Sequence, residues 1–134
     1  MNHKVTKGTK KKSDLLSKEI VGAAIEVHRH LSPGLLESDY EQALCYELSV
    51  RKIDFERQKQ IPAKYKGVNL DCGYRIDLLV DKLVILELKA VMKIDPLFEV
   101  QLLTYLKISN LWLGMLLNFN VPVMKQGIKR IVNG

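Results

Sequence analysis

The stretch Tyr74–Lys89, YRIDLLVDKLVILELK, decides the fold. It divides at Asp81-Lys82 into two runs of alternating apolar residues, Ile76, Leu78 and Val80, then Val84, Leu86 and Leu88. Side chains on a strand alternate faces, so the pattern predicts a hairpin that buries all six on one core. A slip of one residue would turn a strand inside out, so burial fixes the register. That register closes a three-residue turn, pairs Leu78 with Leu86 and sets Asp77 across from Glu87. Directly opposed side chains have Cβ atoms about 4.5–5.5 Å apart. Two carboxylates that close repel unless something positive sits between them, and a hard divalent cation with oxygen ligands is the natural occupant.

Asp77, Glu87 and Lys89 on an amphipathic hairpin would ordinarily be a solvated polar face. Leu79 and Ile85 share that face, however, which implies cover from another element. Covered charges need partners. The hairpin therefore suggests a site without naming it.

The chain has 134 residues, 47% hydrophobic and 27% charged, as expected of one domain with a real core. It holds no apolar run of membrane-spanning length. No signal-type apolar segment follows the basic start MNHKVTKGTKKKS, so a cytoplasmic location and no membrane partner are expected. Lys4, Lys7, Lys10, Lys11 and Lys12 carry five of the six net positive charges. Residues 1–13 thus read as a disordered basic tail, and 14–134 as a single domain. Lys10, Lys11 and Lys12 could add salt-sensitive affinity for nucleic acid or simply be solvated. Cys45 and Cys72 lack CxxC spacing and read as structural thiols.

Outward from the hairpin, Leu16, Ile20, Ala24, Val27 and Leu31 recur at helical spacing, with His28 packed beside them, up to the breakers Ser32-Pro33-Gly34. A second helix is expected from near Ser38, where Ser38 and Glu41 have capping-box spacing, to near Ile53. Glu37 lies at its entrance, where the helix dipole favours a carboxylate. Residues 55–72 predict strands turning at Lys66-Gly67, with Pro62 pointing to a sheet edge. Asp95-Pro96 reads as N-cap and first turn of a helix to about Ile108, with Phe98, Gln101 and Tyr105 on one stripe. Leu111–Leu117 reads as a buried central strand, and Ile128–Val132 as a last strand.

This order, helix–strand–strand–strand–helix–strand, with an acid near the first core helix, Asp on one strand and Glu-x-Lys on the next, resembles the PD-(D/E)xK nuclease superfamily. Gly34-Leu35-Leu36-Glu37-Ser38-Asp39-Tyr40 resembles the signature of the GxxExxY group placed in it. Tyr74-Arg75-Ile76-Asp77, Glu87-Leu88-Lys89, Gln101-x-x-x-Tyr105 and Asn118-Phe119-Asn120 are similar to that group too. Ile76 stands where the superfamily has proline. The resemblance implies an α/β restriction-endonuclease-like core with a mixed sheet flanked by helices. It implies a Mg²⁺- or Mn²⁺-dependent nuclease, with DNA favoured over RNA. Asp77, Glu87 and the backbone carbonyl of Leu88 would hold the metal, Glu37 would assist directly or through a metal-bound water, and Lys89 would act on the water or the phosphate. Arg75, Gln101 and Tyr105 would contact nucleic acid. A silent adaptor of the same fold, a homodimer, or a subunit of a larger nuclease stay open.

Overall fold

The computed structural model describes residues 5–134, the side chains of residues 71 and 72 excepted. Helices α1 (Lys7–Leu31) and α2 (Glu37–Val50) precede strands β1 (Phe55–Tyr65), β2 (Val68–Val80) and β3 (Val84–Lys89). Helix α3 (Pro96–Ser109) then crosses to β4 (Leu113–Asn118), and a 3-10 turn at Met124–Gly127 leads into β5 (Ile128–Val132). The sheet runs in chain order β1 to β5, antiparallel except for the β3–β4 pair. A right-handed crossover through a helix is the ordinary way to make such a parallel pair.

The register follows the apolar pattern. Leu78 faces Leu86 and Val80 faces Val84, and the turn puts Asp81 and Lys82 at φ 50° and 56°. At the outer hairpin Lys66 and Gly67 take φ 50° and 80°, a two-residue turn that matches strand twist. β1 is an edge strand, and its register slips between Ile61 and Ala63, around Pro62, which has no N–H for the ladder. Asp95 caps α3 by accepting from Leu97 N–H at 2.9 Å. All six residues of β4 are buried.

Two cores flank the sheet. Leu78, Val80, Val84, Leu86 and Leu88 pack against α1 and α2 with Ile20, Val27, Tyr40 and Leu44. Leu79, Ile85 and Leu116 pack under α3 with Leu102 and Leu106. Ile76 joins this second core, not the first. The expectation that all six hairpin residues share one core fails there for a local reason. Gln58 on β1, between the pairs Arg57–Leu78 and Lys59–Ile76, has φ 49°, so the alternation of faces breaks beside Asp77.

Two further expectations are corrected. α1 begins at Lys7 rather than Asp14, capped by Thr6 Oγ1 accepting from Thr9 N–H, so residues 7–13 are helical rather than a disordered tail. Residues 1–4 of that segment lie outside the described residues. α2 begins at Glu37, where Leu36 N–H donates to Asp39 Oδ2 at 3.1 Å. Ser38 and Glu41 form no cap, and Glu41 is buried instead. His28 is packed as expected, its Nε2 2.7 Å from the Val121 carbonyl oxygen. Burial pushes the Cys45 thiol up to about 11, which leaves it unreactive; the Cys72 side chain lies outside the description. Among the described residues, no helix is long and apolar enough to cross a membrane.

Tyr40 ties the helical layer to the end of the sheet. Its ring stacks on Phe119 at 4.6 Å, and its hydroxyl donates to the Ser32 carbonyl at 2.6 Å while accepting from Leu35 N–H at 3.1 Å. Both rings are fully buried. Tyr40→Phe leaves the Ser32 and Leu35 groups short of a partner, and the expected loss is about 1–2 kcal/mol in chemical denaturation. An unchanged midpoint would show that water replaces the hydroxyl without cost.

Candidate active site

The break at Gln58 and the end of β3 place the site. Asp77 sits where β2 changes faces, and Glu87 lies on the α3 side of β3 beyond Ile85. Leu88 N–H donates to Asp77 Oδ2 at 2.8 Å, and Asp77 N–H reaches Glu87 Oε1 at 3.4 Å. The two carboxyl groups therefore converge, as the register required. Glu87 is only 8% exposed. Its carboxyl is pushed up to about 8, first by burial and then by the charge of Asp77 and the hydrogen bond to it, against a smaller downward pull from Lys89. At neutral pH the pair therefore holds a proton. Asp77, Glu87 and the Leu88 carbonyl are oxygen donors of the kind that could hold a hard divalent cation. Among the described residues, no third His, Cys, Asp or Glu joins them in a metal-binding cluster.

Lys89 is half-buried, with Nζ 4.2 Å from the centre of the Phe98 ring on α3. The ring holds the ammonium by cation–π attraction. Lys89 pairs with Asn118 of β4, and its carbonyl accepts from Phe119 N–H at 2.9 Å. Asn118 is buried and clamps the following loop, with Oδ1 accepting from Val91 N–H and Nδ2 donating to the Val91 carbonyl. Tyr105 is half-buried on α3, and its hydroxyl is shifted upward by burial and by the nearby Glu87 charge. Its ring lies 5.5 Å from that of Tyr74.

The other expected residues are farther out. Glu37 is exposed at the start of α2, and no hydrogen bond or ion pair among the described residues joins it to Asp77 or Glu87. Gln101 and Arg75 are exposed. Lys10 stands 5.6 Å over Trp112, just before β4, whereas Lys89 pairs with Asn118 at that strand's other end. Five residues of strand separate the two ends by roughly 17 Å. Lys11 and Lys12 follow Lys10 on the same two turns of α1 and are exposed.

Two neighbours of the site escaped the sequence reading. Glu41, one turn beyond Glu37, accepts from Arg57 at 2.9 Å and from Gln58 Nε2 at 2.7 Å. Gln58 Nε2 also stands 3.5 Å from Asp77 Oδ1, so it links Glu41 to the acid pair. The signal was present: Glu56 to Gln60 is an unbroken polar run inside a strand, where alternation would be expected. Gly34, at φ 105°, makes the turn that delivers Tyr40 and Glu41 to these places.

No curated protein and no solved structure matches the chain. A family model does, over residues 14–131, which takes in both acids, Lys89, Asn118 and the sheet up to the last residue of β5. The α/β fold with its mixed sheet carries Asp77 on one strand and Glu87-x-Lys89 on its neighbour, and the chain belongs to the PD-(D/E)XK nuclease superfamily.

Proposed function

We propose that the protein is a Mg²⁺- or Mn²⁺-dependent nuclease of the GxxExxY type that hydrolyses phosphodiester bonds, with DNA the favoured substrate. One observation carries this reading above others. A glutamic acid raised to about 8 by burial and, after that, by a second carboxyl beside it is a poor structural device, and a cation relieves the repulsion. The GxxExxY assignment is supported by what its residues do here: Gly34 turns the chain, and Tyr40 anchors it on Phe119.

Asp77, Glu87 and the Leu88 carbonyl would hold the metal, and Glu87 gives up its proton for this to happen. When bound, the ion would supply an acidified water and charge neutralisation at the phosphate. Lys89 Nζ orients the attacking water and offsets charge building on the phosphate oxygens. Glu37 adds a carboxylate from the mouth of α2 through a water. Tyr105 and Gln101 on α3 and Arg75 on β2 meet the nucleic-acid backbone. Lys10, Lys11 and Lys12, at the opposite end of the sheet, contribute only long-range attraction.

Calorimetry with Mn²⁺ tests the first part. Binding should stabilise the protein by about 3 kcal/mol at a metal concentration 100-fold above Kd. Asp77→Asn should remove that gain and leave the chain folded. Absence of binding at millimolar Mn²⁺ would sink the metal site. Incubation with single-stranded, duplex and branched DNA and RNA tests the second part. A wild-type protein that binds metal and nucleic acid yet cuts nothing is an adaptor or a subunit, not a nuclease.

A further inference from the structure

The outer half of the β1–β2 hairpin projects past α3, and its composition differs from the rest of the chain. From Gln58 to Arg75 the sequence carries four cations, Lys59, Lys64, Lys66 and Arg75, against one acid, Asp71. With the five N-terminal lysines set aside, about one net positive charge remains for everything else. The hairpin thus carries three of the chain's six net positive charges, four cations less one acid.

Its apolar residues pair across the ladder, Ile61 and Ala63 buried and the others open to solvent. Tyr65 faces Val68, Ala63 faces Leu70, and Ile61 faces Tyr74 across the ladder. Opposed residues share a face. Tyr65, Val68, Leu70 and Tyr74 are all 41–62% exposed, so this stripe is open to solvent from the hairpin tip inward. It borders a groove of about 500 Å³ whose lining includes Lys59, Lys64, Leu70 and Tyr74, with Ile108 and Ser109 from the end of α3 on the other wall. At its inner end Tyr74 meets Tyr105, and Tyr105 lies within the field of Glu87 and Asp77. At the tip, Lys66 Nζ stands 5.4 Å from the Tyr65 ring centre. Lys59 also reaches Glu56 at 3.1 Å, an exposed pair that solvent screens.

We propose that this hairpin is an arm that binds single-stranded nucleic acid, with Tyr65 and Tyr74 as stacking platforms and Lys59, Lys64 and Lys66 along the backbone, leading the strand to the acid pair. The direction toward the acids rests on the nuclease reading; the binding does not. Tyr74 and Tyr65 are separated by roughly 13 Å of strand, several base steps. Only unpaired bases expose faces to such rings, so a duplex gains the cations but not the stacking. A second copy of the chain is disfavoured on the same face, because a symmetric contact would bring the lysines of both arms together.

Fluorescence anisotropy on the full chain, with metal chelated to prevent cutting, reads the binding directly. The probes are DNA and RNA oligonucleotides of about 12 nucleotides, each single-stranded and as duplex. Single strands of at least one kind should bind tighter than the matching duplex. Tyr65→Ala and Tyr74→Ala should each weaken single-strand binding about five- to a hundredfold. Lys64→Ala with Lys66→Ala should lower the salt slope by about 1.4. Should Tyr74→Ala unfold, Tyr65→Ala at the solvent-exposed tip carries the test. Equal affinity for duplex, or wild-type binding by Tyr65→Ala and the lysine pair, overturns the arm. So does a dimer that Tyr65→Ala dissociates without touching oligonucleotide binding. Cleavage is scored separately with Mn²⁺. Binding that depends on the arm in a protein that cuts nothing upholds the arm and removes the nuclease; cutting with binding indifferent to the arm does the reverse.

Discussion

Lys89→Ala is expected to lower turnover about 10²–10⁴-fold while metal still binds. Lys89 donates no lone pair to a cation, so its loss removes none of the oxygen donors. It does remove a positive charge, with two opposed results. Repulsion of the incoming cation falls, but Glu87, which Lys89 holds down, rises further and keeps its proton more firmly. An assay near pH 9 separates them, because Glu87 is then largely ionised in the wild type and the proton competes less. Metal affinity there should be equal to wild type or slightly higher, with turnover collapsed. The structural cost is small: a cation–π contact with Phe98 and some methylene packing, about 1 kcal/mol. Lys89→Met keeps the packing and should be as inactive as the alanine variant. A Lys89→Ala protein that cuts like wild type would place the chemistry elsewhere or assign it to a contaminant.

Glu87→Gln is expected to make the metal-free protein more stable at neutral pH. The folded value of about 8 stands above the ordinary glutamate value of 4.5. Between those values the native state holds a proton that the unfolded chain has released. Stability is therefore fully present below the unfolded value, declines as pH rises, and levels off above about 8. Near pH 7 the accumulated cost is about 3 kcal/mol. Glutamine keeps the shape without titrating, so its melting temperature should exceed wild type by roughly 10 °C at pH 7 and the pH slope between 5 and 8 should vanish. The same variant should lose Mn²⁺ binding. Wild-type calorimetry at pH 7 in buffers of different ionisation enthalpy should show close to one proton released per metal bound. A variant that melts with the wild-type pH slope would show that Glu87 is not the group responsible.

The register of the central hairpin was legible because burial and period 2 leave one solution, and Asp77 and Glu87 came with it. Turns at Lys66-Gly67 and Asp81-Lys82, the Asp95-Pro96 start of α3 and the buried β4 were legible for equally local reasons. The start of α1 was not. Lysines in a helix's first turns oppose its dipole, and they are tolerated here because a tertiary partner, Trp112, takes Lys10. The use of Glu41 was hidden by a spacing that also fits a cap. Ile76 went to the other core because a left-handed Gln58 cannot be foreseen from alternation, and only the polar run around it hinted that the strand was interrupted.

That interruption changes what the sheet is electrically. A β-sheet ordinarily insulates its two sides, since each side chain addresses one layer and the backbone separates them. At Gln58 and Asp77 the insulation fails. Glu41 approaches from α2 on one side, while Glu87 and Tyr105 approach from the α3 side, and an amide and a carboxyl lie between them. A side chain of α2 is therefore linked to the α3 side through Gln58 and Asp77 rather than through a layer of leucines. The two helical faces of the molecule share one run of polar contacts, and the acid pair is its junction.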